Sequence, residues 1–184
     1  MVSRKKILTI PNLLSCLRLC LIPPIIWLYC VRRNSLACAA VLALSGLTDV
    51  ADGFIARRFN MVSDLGKILD PIADKITQGA MLICLLMNFP RMLVPLILLI
   101  IKEAFVGITS LVNIRKTGTV KGADWHGKAA TCMLYAMMAV HLLWQNIPAG
   151  LSGFLIAACV VMMIVSMILY GIRNLNPWRK KKTG

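Results

Sequence analysis

Acidic side chains are scarce in this chain. Seven Asp and Glu stand against 21 Lys and Arg among 184 residues, for a formal net charge of +14. Aromatic residues are also few, at 7%, and they do not interleave with the basic runs. That argues against a stacking platform for nucleic acid, and no nucleic-acid partner is expected. The excess positive charge reads instead as membrane topology and attraction to anionic headgroups. No CxxC pair occurs among the seven cysteines (16, 20, 30, 38, 84, 132 and 159), most of which lie in apolar runs. They read as small apolar residues, which excludes a zinc site or a disulfide framework. The N-terminus has no small-residue cleavage site and its apolar stretch is broken by Arg18, so it reads as retained. There is no fixed-period repeat and no low-complexity region.

What the chain has in abundance is apolar sequence. It is 59% hydrophobic with a mean hydropathy of +0.78. No water-soluble fold of this length could hide that surface, so the bilayer is the expected solvent. The expected fold is all-α, a single membrane domain over residues 1–184 with six transmembrane helices. An interfacial segment over 7–18 leads into a first span ending at Val31, with Pro23 and Pro24 inside it. The second span starts at Leu36 and is apolar to Leu47. The third runs 67–89, the fourth 92–112, the fifth 129–144 and the sixth 151–172. Six spans put both termini on one side. Basic residues gather in the N-tail, the 2–3 connection, the 4–5 loop and the C-tail, whereas Arg32, Arg33 and Arg91 fall opposite, so both termini are expected in the cytoplasm.

Five of the seven acidic residues lie between Asp49 and Asp74. Charges beside a bilayer are costly unless paired or functional. Asp49 and Asp52 are spaced i, i+3, and Asp70 and Asp74 i, i+4, so each pair shares a helix face. Four converging carboxylates repel one another, and hard divalent cations relieve that repulsion; all-oxygen ligation favours magnesium, manganese or calcium over zinc. Gly53 and Gly66 leave room for close approach to the backbone, and Arg57, one turn beyond Gly53, can hold a phosphate. The set suits pyrophosphate chemistry at a membrane surface. A cation transporter could also use such carboxylates, but it would leave Gly53, Arg57 and Gly66 unexplained, and the paired broken helices common in transporters are not evident.

Asp49-Val-Ala-Asp52-Gly53-Phe-Ile-Ala56-Arg57, eight residues, then Gly66-Lys-Ile-Leu-Asp70-Pro-Ile-Ala-Asp74 resembles the signature of the CDP-alcohol phosphotransferases. All its fixed positions are met, a coincidence on the order of one in a billion per start position at average residue usage. The resemblance implies that Asp49, Asp52, Asp70 and Asp74 ligate two divalent metal ions, Mg2+ or Mn2+, that hold a CDP diphosphate. It implies that Asp74 is the general base. Asn12, Ser15, Gly53, Ala56, Arg57, Ser63 and Gly66, with Asp49, would line the CDP-lipid site. A homodimer in a bacterial cell membrane, its active site facing the cytoplasm, is also implied.

The stretches Thr9–Arg18 and Asp70–Lys75 are similar to those of the phosphatidylglycerophosphate-forming and cardiolipin-forming branches. The implied reaction is transfer of a phosphatidyl group from CDP-diacylglycerol to glycerol 3-phosphate with release of CMP; phosphatidylglycerol is the alternative acceptor. Gly127-Lys128-Ala-Ala130-Thr131 departs from the first branch, where a second lysine stands at Ala130, and Lys102-Glu103 stands where that branch has Arg-Glu. Lys75, Lys102, Arg115, Lys128 and Arg173 are the candidate cations for an acceptor phosphate. Arg115 and Arg173 also suit snorkelling anchors, and Lys102 a pair with Glu103. His126 is expected in a loop and His141 in helix packing, neither as a metal ligand.

Overall fold

The computed structural model describes residues 10–58, 66–117 and 124–175, and within them the side chains of 13–48, 71–113, 115 and 124–174. Regular structure among the described residues is entirely helical, as expected. The helices are α1 (Ile10–Cys30), α2 (Ser35–Arg58), α3 (Gly66–Leu86), α4 (Leu93–Thr117), α5 (Trp125–Leu143) and α6 (Ala149–Leu175), with a 3-10 turn at Pro90–Met92 before α4. Local chemistry sets the ends. Asn34 accepts the Ala37 N–H at 3.0 Å through Oδ1 and caps α2. Arg33, at φ 50°, turns the chain between α1 and that cap.

The expectation of six membrane-spanning helices is corrected. Three helices among the described residues are long and apolar enough to cross a membrane: Leu13–Cys30, Pro90–Asn113 and Ala149–Asn174. The reason lies in where polar side chains fall. The apolar part of α2 is only Ser35–Thr48, and at 1.5 Å per residue it reaches about 21 Å against a hydrocarbon core of about 30 Å. Helix α3 carries Lys67, Asp70, Asp74, Lys75 and Gln78, and α5 carries His126, Lys128 and His141. The span count that placed both termini on one side goes with it. Among the described residues, no break sets an interfacial segment apart from the first span. Helix α1 runs unbroken from Ile10, and Ser15 and Arg18 are buried in it.

The chain packs as two compact units, 1–87 and 88–184. In the first, α1 packs against both α2 and α3. Cys38 Sγ lies 3.7 Å from the Ile25 carbonyl, and Cys30 Sγ lies 3.8 Å from Cys84 Sγ. The start of α2 and the end of α3 therefore meet the C-terminal end of α1, which makes α1 antiparallel to α2 and parallel to α3. The core between them holds Ile25, Tyr29, Leu42, Met81, Leu82 and Leu85.

In the second unit, α6 packs against both α4 and α5. Asn174 on α6 donates through Nδ2 to Thr109 Oγ1 on α4 at 3.1 Å. At the other end of α6, His141 of α5 meets Ser152 at 2.8 Å. Outward faces of α4 and α6 expose Ile97, Ile100, Ile108, Phe154, Val161 and Ile168, the surface a lipid-facing helix presents.

Candidate functional site

In the first unit, Asp74 sits on the third turn of α3, half-buried. Gln78, one turn on and fully buried, donates through Nε2 to Asp74 Oδ2 at 2.8 Å. Lys75 Nζ lies 3.5 Å from the same Oδ2 and 3.4 Å from Gln78 Oε1. One carboxylate oxygen is thus held by an amide and shadowed by an ammonium, an arrangement that fixes the rotamer of Asp74.

Helix α1 brings two polar side chains into the same unit. Ser15, an expected CDP-lipid residue, is fully buried, and Arg18 is only 2% exposed. From the Cys30–Cys84 contact, stepping back along the parallel helices to Arg18 and to Asp74 covers about 18 Å and about 15 Å at 1.5 Å per residue. Arg18 and Asp74 therefore stand at nearly one level. The sequence reading treated Arg18 only as an interruption. Its signal was an arginine spaced i, i+3 from Ser15 in an otherwise apolar run.

The other expected residues of this unit are placed by backbone alone. Asn12 falls on α1; Asp49, Asp52, Gly53, Ala56 and Arg57 on α2; Gly66 and Asp70 on α3. Their side chains, and Ser63 altogether, lie outside the described residues. Among the described residues no group of three or more His, Cys, Asp or Glu could hold a metal ion; three of the four expected ligands are not in that set.

The second unit contains a polar cluster that the sequence reading missed. Asp124 occupies the N-cap position of α5 in extended conformation, and its carbonyl accepts the Gly127 N–H at 3.1 Å. An Asp there ordinarily turns its carboxylate onto the first-turn N–H groups. Here no side-chain cap bond forms. The carboxylate instead pairs through Oδ1 with Arg173 and accepts from His126 Nε2 through Oδ2 at 3.1 Å. His126 also meets Ser166 Oγ at 3.3 Å through Nδ1. The Asp124 N–H donates to the Tyr170 hydroxyl at 3.2 Å, the His126 ring packs edge-on to Tyr170, and the Arg173 guanidinium lies over the Tyr170 ring at 4.9 Å. Arg173 is thereby held by a carboxylate and an aromatic face. His126 belongs to the first turn of α5 and is buried, not in a loop. The available signal was that Asp124 is one of two carboxylates outside the 49–74 cluster and stands just before a helix.

Gly127 explains part of the Gly-Lys motif. A Cβ there would collide with the Tyr170 hydroxyl, so only glycine lets α6 bring Tyr170 this close. Lys128 is exposed on the same turn, and Arg115 is exposed near the end of α4. Lys102 is 5% exposed and meets Glu103 Oε1 at 2.8 Å. Ala130 is 1% exposed, on the α5 face that also buries Leu134, Met137 and Met138.

Comparison with known proteins places this arrangement. Residues 8–170 match the family model described as CDP-alcohol phosphatidyltransferase. A CDP-diacylglycerol–glycerol-3-phosphate 3-phosphatidyltransferase of Rickettsia typhi is 40% identical over 100 residues, 53% of this chain and 56% of the relative. One of the same description from Bacillus subtilis is 33% identical over 154 residues, 80% of this chain and 77% of the relative. A CMP-forming cardiolipin synthase of Streptomyces coelicolor is 35% identical over 146 residues, 73% and 66% respectively. The chain spans about half the length of the Rickettsia relatives it matches. Three membrane-length apolar helices, together with bacterial relatives of these descriptions, mark an integral membrane protein. With the family match covering most of its length and the signature intact from Asp49 to Asp74, the chain belongs to the CDP-alcohol phosphatidyltransferase family.

Proposed function

We propose that the protein transfers a phosphatidyl group from CDP-diacylglycerol to glycerol 3-phosphate and releases CMP. The observation that carries this reading is the complete signature on α2 and α3, with its one described carboxylate, Asp74, held in place by Gln78. The acceptor hydroxyl oxygen attacks the phosphorus that bears the diacylglycerol. The bridging P–O bond of the diphosphate breaks, CMP leaves, and the hydroxyl proton goes to Asp74. Asp49, Asp52, Asp70 and Asp74 would hold Mg2+ or Mn2+, which when bound neutralises charge on the diphosphate and the departing CMP.

Asn12, Ser15, Gly53, Ala56, Arg57, Ser63 and Gly66 are proposed to line the CDP-lipid site. The burial of Ser15 supports this, because it sets the hydroxyl inside the helix pack that carries the signature and not against bulk lipid. The acceptor phosphate is proposed to bind Arg173, with Lys128 and Arg115 as further cations. The geometry around Asp124 supports Arg173, since a pre-oriented guanidinium loses little freedom on meeting a phosphate. Lys75 belongs to the Asp74 group and Lys102 is buried against Glu103, so both are less suited to this role. Arg57, Arg58 and Lys67 lie within the signature stretch and favour a cytoplasmic active site in a bacterial cell membrane. A homodimer belongs to the same proposal.

A second reading has its own support. Burial of Ala130, where a lysine would serve a small phosphate-bearing acceptor, and the Streptomyces relative both favour a cardiolipin synthase using phosphatidylglycerol. Purified protein supplied with CDP-diacylglycerol, Mg2+ or Mn2+, and either glycerol 3-phosphate or phosphatidylglycerol distinguishes them by CMP release. Release with glycerol 3-phosphate is expected. Release only with phosphatidylglycerol moves the assignment, and no release with either alcohol overturns the transferase reading.

A further inference from the structure

The second unit has two polar ends. One is the cluster around Asp124 and Arg173. The other is a cleft of about 340 Å³ lined by Asn88, Phe89, Pro90, Arg91, Ile147, Ala149 and Ser152. From Ser152 to Tyr170 is eighteen residues of one helix, about 27 Å at 1.5 Å per residue, close to the hydrocarbon thickness of a bilayer. The cleft thus lies at the membrane face opposite the Asp124 cluster. Exposed Trp144, in the turn leading to the cleft, suits that boundary.

Arg91 is the cation of the cleft. It is exposed, and its guanidinium makes no hydrogen bond or ion pair among the described residues. Its guanidinium lies close against α6 at Gly153, where a Cβ would stand 3.1 Å from Arg91 Nη1. The cleft wall is firm. His141, fully buried, donates from Nδ1 to the Met137 carbonyl at 2.8 Å and meets Ser152 Oγ at 2.8 Å, and Phe89 packs edge-on against the His141 ring. The first turn of α6 adds backbone N–H groups that lack partners within the helix. No carboxylate lines the cleft, so an amine-bearing headgroup would find a partner for its phosphate and none for its amine.

We propose that this cleft is a phosphate-binding site, occupied by the headgroup phosphate of an anionic phospholipid at the face opposite the Asp124 cluster. Arg91 supplies the charge-assisted bonds, and the apolar flanks of α4 and α6 take the acyl chains. The site is separate from the proposed reaction.

Native mass spectrometry of the detergent-purified full chain, titrated with phosphatidic acid, with phosphatidylcholine and with inorganic phosphate, tests this. Wild type is expected to retain phosphatidic acid in preference to phosphatidylcholine. Arg91→Gln is expected to weaken one phosphatidic acid binding event about tenfold, with Arg91→Lys in between. Arg173→Gln leaves that event unchanged. If Arg91→Gln loses inorganic phosphate but keeps the lipid, the phosphate site stands and its ligand is the free anion. Equal retention of all three probes by wild type and Arg91→Gln overturns the proposal.

Discussion

Gln78 Nε2 stands 2.8 Å from Asp74 Oδ2, one helical turn away on α3. That bond sets which way the carboxylate points, and it couples a buried amide to the proposed general base. Asp74→Asn is expected to lower CMP release by about 10²–10⁴-fold, the usual share of general-base catalysis, while CDP-lipid binding survives within a few-fold. Gln78→Leu should lower turnover about tenfold, the effect of one charge-assisted bond, without changing lipid affinity. An active Asp74→Asn enzyme would remove Asp74 from the reaction.

The pair Asp124–Arg173 makes a different prediction, because it concerns binding and not proton transfer. Arg173→Gln should raise the KM for the acceptor at least tenfold with a smaller fall in kcat, the pattern of a lost ground-state contact. Asp124→Asn should move KM the same way by less, since it frees Arg173 without deleting it. If both variants reduce kcat alone, Arg173 does not hold the acceptor.

Gly127→Ala tests the same geometry from behind. The added methyl must displace Tyr170, and with it the hydroxyl that accepts the Asp124 N–H and the ring beneath Arg173. A raised acceptor KM is expected, together with loss of stability. Pairing it with Tyr170→Phe separates the two effects: the phenylalanine keeps the ring and loses only the hydroxyl, so a near-normal KM there assigns the effect to the ring.

Stability of the second unit depends on a bond far from that cluster. Ser152→Ala leaves His141 Nε2 without its partner in a fully buried position. The expected cost is about 1–3 kcal/mol, read as a fall in Tm of roughly 3–10 °C by thermal unfolding in detergent. Unchanged Tm would mean that the ring finds another partner.

Removal of divalent cations should be decisive for the proposed reaction. Excess EDTA is expected to stop CMP release, and Mg2+ or Mn2+ to restore it, as hard-cation ligation by carboxylates requires. Persistent activity in EDTA would contradict the roles proposed for Asp49, Asp52, Asp70 and Asp74.

The all-helical class, the polar first half of α3 and the signature were legible because each is a local pattern of residue types. The number of membrane-length helices was not. The sequence reading counts the short apolar run from Leu36 to Leu47 as a full span and begins the third span at Lys67, whereas α2 and α3 are long helices with short apolar parts. Asp124 was missed for another reason. Its partners Arg173 and Tyr170 are more than forty residues away in sequence, and no periodicity links them. His126 was placed in a loop because the Gly-rich stretch before it hides the start of α5. Such long-range polar contacts come from helix packing, which residue spacing cannot convey.

The burial of Ala130 bears on how acceptor choice diverges in this family. A residue on the surface of a pocket can be exchanged in one step, and specificity then drifts freely. Ala130 instead shares a packed face with Leu134, Met137 and Met138. A lysine arriving there would force its stem through that face before its charge could meet any substrate. Any mutational route between the two motifs therefore has to loosen α5 first and change its chemistry second. Single-residue swaps at this position should yield unstable proteins more readily than enzymes with a new acceptor.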